Sequence, residues 1–284
     1  MLFFRLSRPR TIVVGTIHLR GGVTMPELID ELAAFYQSQN IAVDNFACPH
    51  QAECDRVTAA AGQSLHHGSE AHIGSRYGDP FRIVVVSLSD KSGSARLSDH
   101  DEYERGLCTE WDLNPHLVGT KEILEAVLAP EITEREVFRH FALTRAAKCA
   151  LVGEANKPPD ACFWHCRQFV LPELEALRPD LIVTQGREAW WALEEHSDLV
   201  PDTLVQSLTT PDMAGGHPAL SLFEGCVREY VRILRLGSRP VVLLKLVHPA
   251  ARGGQWALMK NLNAVSALGW IAKRLVVQGQ AKPA

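Results

Sequence analysis

The sequence predicts a three-layer α/β/α protein with a central, mostly parallel sheet, and three observations predict it. Short apolar runs bounded by polar residues recur along the chain: RIVVVSL at residues 82–88, LIVT at 181–184 and PVVLLKLV at 240–247. Continuous runs of this kind mark strands buried on both faces. Segments with apolar residues at helical spacing alternate with them, which places helices on both faces of a parallel sheet. Finally, 284 residues with 46% apolar and 22% charged side chains suffice for one large core.

The elements follow in order. Residues 11–17 (TIVVGTI) read as a short strand. Residues 26–39 have helical apolar spacing, with Pro26 at a tolerated early position. Residues 46–54 form a loop with two cysteines, and residues 66–80, rich in Gly, His and Ser, form a connection. The β-branched run at 82–88 is the cleanest strand, followed by a loop over 89–116. A short helix over 120–128 starts after Gly119. A second strand covers 141–147. A helix over 159–177 has a kink or break at Pro172. The strand at 181–184 ends at Gly186 and leads to a helix over 187–195. Residues 204–208 read as a short strand, 221–236 as a helix and 240–247 as another strand. A closing amphipathic helix lies within 254–277, where Trp256, Leu262 and Val265 share one face. There is no internal repeat, so residues 1–284 make one domain with an N-terminal extension to about residue 45. In such sheets ligands bind beyond the carboxyl ends of the strands. The loops after Leu88, Thr144 and Val247 are therefore the functional candidates.

The formal charge of −4 excludes a uniformly basic surface. A local basic groove would still suffice to neutralise a few phosphates, and basic residues gather late, from Arg232 to Arg274. No apolar run approaches the ~20 residues of a membrane span. The first ten residues hold too short an apolar core for a secretory signal, so the expected location is the cytoplasm. Seven cysteines in a reducing compartment point to metal ligation or burial, not disulfides. Cys48 and Cys54 bracket a short loop, CPHQAEC. Cys149 follows a strand and Cys166 lies near a helix start; Cys162, one helical turn earlier, rivals it. Four thiolates suit zinc or an iron–sulfur cluster. Cys108 and Cys226 read as small buried hydrophobes.

Residues 144–186 read TRAAKC, sixteen further residues, then CRQFVLPELEALRPDLIVTQG. This stretch resembles the iron–sulfur class of uracil-DNA glycosylases. In that class a strand ends in Thr-Asn and Lys-Cys, a second cluster cysteine opens a helix, and the next strand ends in Leu-Gly. Three more matches fall in family order. RIVVVSLSDKSG (82–93) resembles the strand and first catalytic loop, NPHLVGTKEIL (114–124) the Pro-Phe-Val-Gly segment, and LLKLVHPAARGG (243–254) the strand ending in His-Pro-Ser. The resemblance implies a glycosylase-type α/β domain, probing DNA as a monomer without membrane attachment. It also implies a structural 4Fe–4S cluster, or alternatively zinc, on Cys48, Cys54, Cys149 and Cys166.

The departures from the family pattern define the expected chemistry. Gly-Glu-Ala-Pro-Gly is replaced by Ser87-Leu88-Ser89-Asp90-Lys91, which makes Asp90 the nearest acid. The Asn that reads uracil is replaced by Arg145, and the stacking Phe by His116 or Leu117. His-Pro-Ser becomes His248-Pro249-Ala250. Breaking an N-glycosidic bond develops positive charge on the sugar and negative charge on the departing base, after the base is turned out of the stack. His248 is the candidate donor to the base. Asp90 would orient water or stabilise the sugar cation, or else simply form a turn. Ser89, Lys91, His116, Arg145 and Arg252 are candidate substrate contacts: His116 by stacking, Arg145 through its fork of donors, and Lys91 also as a possible amine nucleophile. The expected activity is excision of a modified or damaged base other than plain uracil, in DNA repair or antiviral defence. The alternative is a catalytically inactive DNA-binding module on the same fold.

Overall fold

The computed structural model describes residues 24–66, 68–89, 96–110, 112, 115–128, 132, 136–152, 157–208, 225, 227–251 and 254–280. The expected strand at 11–17, Asp90, Lys91, Cys226 and Arg252 lie outside these residues. In chain order the elements are α1 (Met25–Ser38), β1 (Ile41–Ala42), β2 (Asn45–Phe46), α2 (Gln51–Ala60), β3 (Ser64–His66), β4 (His72–Ile73), β5 (Ile83–Ser87), α3 (His100–Glu110), α4 (Pro115–Leu128), β6 (Phe141–Arg145), β7 (Ala150–Val152), α5 (Asp160–Leu177), β8 (Leu181–Gln185), α6 (Arg187–Trp191), β9 (Ser197–Leu199), α7 (Asp202–Leu208), β10 (Val231–Leu236), β11 (Arg239–Leu246), α8 (Gln255–Asn261) and α9 (Ala264–Gln280).

The main sheet has seven strands in the order β4-β6-β5-β8-β11-β10-β9. The central four are parallel, and antiparallel β4, β10 and β9 close the two sides. Successive side chains of a strand point to opposite faces. Accordingly Ile83 and Val85 of β5 enter one core with α4, α8 and α9, while Val84 and Val86 enter the other with α1, α5 and α6. The fold is the three-layer α/β/α arrangement the apolar runs predict. A capping box at Thr24 and Glu27 starts α1, whose Leu28, Leu32 and Tyr36 are buried in the second core.

Five local expectations differ from the structure. Residues 204–208 are helical, not extended: α7 starts after Pro201, whose carbonyl accepts the N–H groups of Leu204 and Val205. Within 221–236, residues 231–236 form β10 instead of continuing a helix, because Gly237, at φ 56°, turns the chain so that β10 pairs along β11. The expected loop over 89–116 contains α3, and Cys54 stands within helix α2 rather than a loop. The closing segment is two helices. Asn263, at φ 57°, breaks it, so Leu262 is exposed while Trp256 and Val265 are buried.

Candidate active site

The four parallel strands bring their carboxyl ends to one edge, and each end carries part of a polar constellation. Ser87 ends β5 beside Arg145 at the end of β6, with which it is in register. Beyond the strands the pairing continues: the N–H groups of Ala146 and Ala147 donate to the carbonyls of Ser87 and Leu88. Gln185 ends β8, and His248 follows β11. Gly186, at φ 106°, draws these ends together. A Cβ there would stand 2.9 Å from Leu88 and 3.5 Å from the Cβ of His248, so only glycine fits without displacement. On the other side of the His248 turn, Gly119 of α4 lies directly against the ring of Pro249.

His248 and His116 stack, their ring centroids 5.3 Å apart and their planes at 22°. The N–H of Ala250 donates to Nδ1 of His248 at 3.2 Å. In the neutral ring the proton therefore sits on Nε2, making it a donor. His116 hydrogen-bonds Gln185, and Gln185 in turn donates to Thr120 at 3.0 Å. Burial, reinforced by the charges of Arg145 and His248, pushes the pKa of His116 down to about 3. His72 is likewise held at about 3, by burial and by the neighbouring His100 and Arg145. Arg145 is itself buried and donates through Nη2 to the hydroxyl of Tyr103 at 3.0 Å.

Among the described residues the edge thus holds a permanent cation, Arg145, beside His72 and His116, both kept neutral near pH 7. A guanidinium offers donors only, and neutral imidazoles add at most one donor each. This arrangement can receive an acceptor-rich group and stabilise negative charge developing on it. Ser89, half-buried, stands just beyond β5 on the same edge. Gln185, Thr120, Tyr103 and His72 were not singled out from the sequence. Gln185 had a signal, a polar residue closing the apolar run LIVT. Tyr103 had none, since it lies on the helix that read as a loop.

Four residues after Arg145 comes Cys149. Cys48, Cys54, Cys149, Cys162 and Cys166 are all buried, and their thiols lie within electrostatic reach of one another. Burial and the neighbouring cysteines raise Cys149; the hydrogen bond to Cys54, followed by burial, raises Cys162; burial pushes Cys166 up to about 12. Cys54 is lowered by the same bond to Cys162. The structure therefore gathers all four expected ligands together with the rival Cys162. Cys108 is separate, only partly buried against the other core. Buried thiols that raise one another's pKa are the donor set a cationic metal centre would ionise, so these residues fit an iron–sulfur or zinc group chemically. As placed, no three His, Cys, Asp or Glu side chains among the described residues form a closed metal-binding group.

A buried network fixes this region to the strand ends. Lys148 Nζ pairs with Glu173 and donates to Thr144 Oγ1 at 2.9 Å. Thr144 donates to Glu173 at 2.6 Å, and Tyr36 donates to the other carboxylate oxygen. The backbone N–H of Lys148 donates to Cys166 Sγ at 3.3 Å. One residue thereby ties the end of β6, helix α5 and the cysteines together.

Among the described residues no helix is long and apolar enough to cross a membrane. No curated protein matches the chain in sequence. The family model described as the Uracil DNA glycosylase superfamily matches residues 113–269. That span contains His116, Arg145, Cys149, Cys162, Cys166, Gln185, Gly186 and His248, and it covers more than half of the chain. With the parallel strand ends and their histidines in view, the chain belongs to the uracil-DNA glycosylase superfamily, a family of DNA glycosylases.

Proposed function

We propose that this protein is a DNA glycosylase that removes a modified or damaged base, and not plain uracil, by hydrolysing the N-glycosidic bond after flipping the nucleotide. The observation that carries this reading is the pairing of His248 and His116 beside buried Arg145. Uracil presents a donor, N3–H, between two acceptors; a guanidinium offers nothing to receive that hydrogen. A base with adjacent acceptors, or one carrying an oxygen-rich substituent, suits the fork better. His248 Nε2–H would donate to the base as it departs with its bonding electrons. His116 would contact the flipped ring. Asp90 would orient the attacking water or stabilise the sugar cation, and Ser89, Lys91 and Arg252 would contact substrate.

The donor set supports a 4Fe–4S cluster on Cys48, Cys54, Cys149 and Cys166, with zinc as the alternative and Cys162 adjacent. Such a group would supply cross-linking of α2, the segment after β6 and α5. The chain's own residues would hold Arg145 through Thr144 and Lys148. A brown, iron-containing preparation would favour the cluster; a colourless, zinc-loaded one the alternative. The protein would act as a monomer in the cytoplasm, in repair or in defence against foreign DNA.

The second reading is a DNA-binding module without catalysis. It is favoured by the Ser-Leu-Ser-Asp-Lys sequence at residues 87–91, which lacks the family's glutamate. Incubation with oligonucleotides carrying uracil, hydroxymethylated or glucosylated bases separates the two. Release of a free base with an abasic product from a modified substrate is expected. Tight, salt-sensitive binding with no base released from any substrate would select the binding module instead.

A further inference from the structure

At the opposite end of the sheet, the amino ends of β5, β8 and β11 surround a cleft of about 310 Å³ lined by Arg82, Glu175, Arg178, Leu236, Gly237 and Arg239. That volume is at the lower end of small-molecule sites. Three guanidiniums therefore face one concavity. Arg82 and Arg239 share a single carboxylate, Asp180, at 3.5 and 3.6 Å. Asp180 also accepts the Arg82 backbone N–H at 2.8 Å, and the Arg82 carbonyl accepts the Asp180 N–H at 2.8 Å. This reciprocal pair fixes both residues to the sheet. Arg178 comes from the end of α5, in left-handed conformation at φ 52°, and pairs with Glu31 at 2.7 Å.

Among the described residues, each guanidinium meets its carboxylate through one nitrogen. An arginine carries five N–H donors, so most of the donors around the cleft remain available. The like charges also oppose one another: burial and then the nearby Arg82 lower the pKa of Arg239, and Arg178 adds to this. An anion in the cleft would relieve that repulsion and use the idle donors in bidentate pairs. Glycine is the residue normally favoured at a left-handed helix end; an arginine there trades backbone comfort for a charge at this position.

We propose that this cleft binds the phosphoryl group of a small, nucleotide-sized molecule. The cleft lies at the opposite end of the strands from His248, and binding there does not depend on the chemistry at that edge. A nucleic-acid backbone fits less well: the site is concave, and its surroundings carry Glu31 and Glu175, which an extended polyanion would have to pass.

The test is calorimetric titration of the full chain with inorganic pyrophosphate at low salt. Saturable one-to-one binding is expected, weakened about tenfold or more by Arg239→Gln. Should that variant fail to fold, Arg178→Gly removes a lining charge at a position where glycine is the favoured residue, and it should weaken binding comparably. Glu175→Gln should tighten binding several-fold. A 5′-mononucleotide should displace pyrophosphate, whereas a duplex without modified bases should not. Absence of saturable binding, or binding unchanged in both arginine variants, would overturn the proposal. Displacement by duplex but not by mononucleotide would also overturn it, in favour of a DNA-backbone contact.

Discussion

Gly119 and Pro249 touch so closely that a Cβ on Gly119 would lie 2.3 Å from the Cβ of the proline. This contact seats α4, which carries His116, against the turn that carries His248. Gly119→Ala should force the two apart, because the proline ring cannot rotate away. The expected destabilisation is about 1–3 kcal/mol, the usual range for overpacking. Gly269→Ala is the control. Its Cβ would stand 2.4 Å from Ala126 in the α4–α9 contact, away from the histidines. Both variants should melt earlier, but Gly119→Ala should lose far more base-release activity at matched stability. Equal activity losses would separate the contact from the site.

His72 and His116 make stability depend on pH in a defined window. Their folded pKa values, about 3, lie below the ordinary value of 6.5. As pH falls below 6.5 the unfolded chain takes up protons that the folded one refuses, so stability should drop progressively toward pH 3. Urea midpoints measured from pH 7.5 to pH 5 should fall in the native chain and fall less in His116→Gln. Arg145→Gln should raise the His116 pKa, read by NMR, but not to 6.5, since burial is the larger cause. A slope unchanged by His116→Gln would show that His116 is not held neutral.

The Lys148–Glu173 pair is wholly buried, and leaving one buried charge alone costs about 3–5 kcal/mol. Glu173→Gln should lower the melting temperature strongly. Because the Lys148 N–H meets Cys166, it should also reduce the iron or zinc held by the proposed cysteine site. Lys148→Met combined with Glu173→Leu should recover much of the stability. Whether metal content recovers too is a separate readout, showing if the charge itself or only the packing holds the cysteines. A Glu173→Gln protein with native stability would contradict the role given to this pair.

How far the sequence spoke depended on where each residue lies. The parallel strands were legible because both faces are buried, and Val84, Val85 and Val86 leave no polar interruption. His248 and Arg145 were legible because they sit just where such runs stop. β10 was not: Arg232 and Arg235 break its alternation, and only pairing with β11 makes it extended. α3 buries little besides Leu107, so its many charges gave no helical period and hid Tyr103. The gathering of five cysteines needed tertiary structure, although four were named as ligands from spacing and resemblance and Cys162 as the rival of Cys166.

Cysteine substitution tests the metal centre by itself. Cys149→Ser should abolish bound iron, or zinc, and lower thermal stability, whereas Cys108→Ser, outside the group, should do neither. Metal retained at full occupancy in Cys149→Ser would remove that residue from the ligand set.

The most direct measurement is single-turnover formation of abasic sites in a duplex carrying a modified base, comparing the native chain with His248→Ala. Native protein should produce alkali-labile breaks at the modified position. The variant should bind the duplex equally well but react about 10²–10⁴-fold more slowly, the usual worth of a positioned proton donor. Equal rates in the two proteins, or no breaks at any modified base, would contradict the glycosylase assignment of this site.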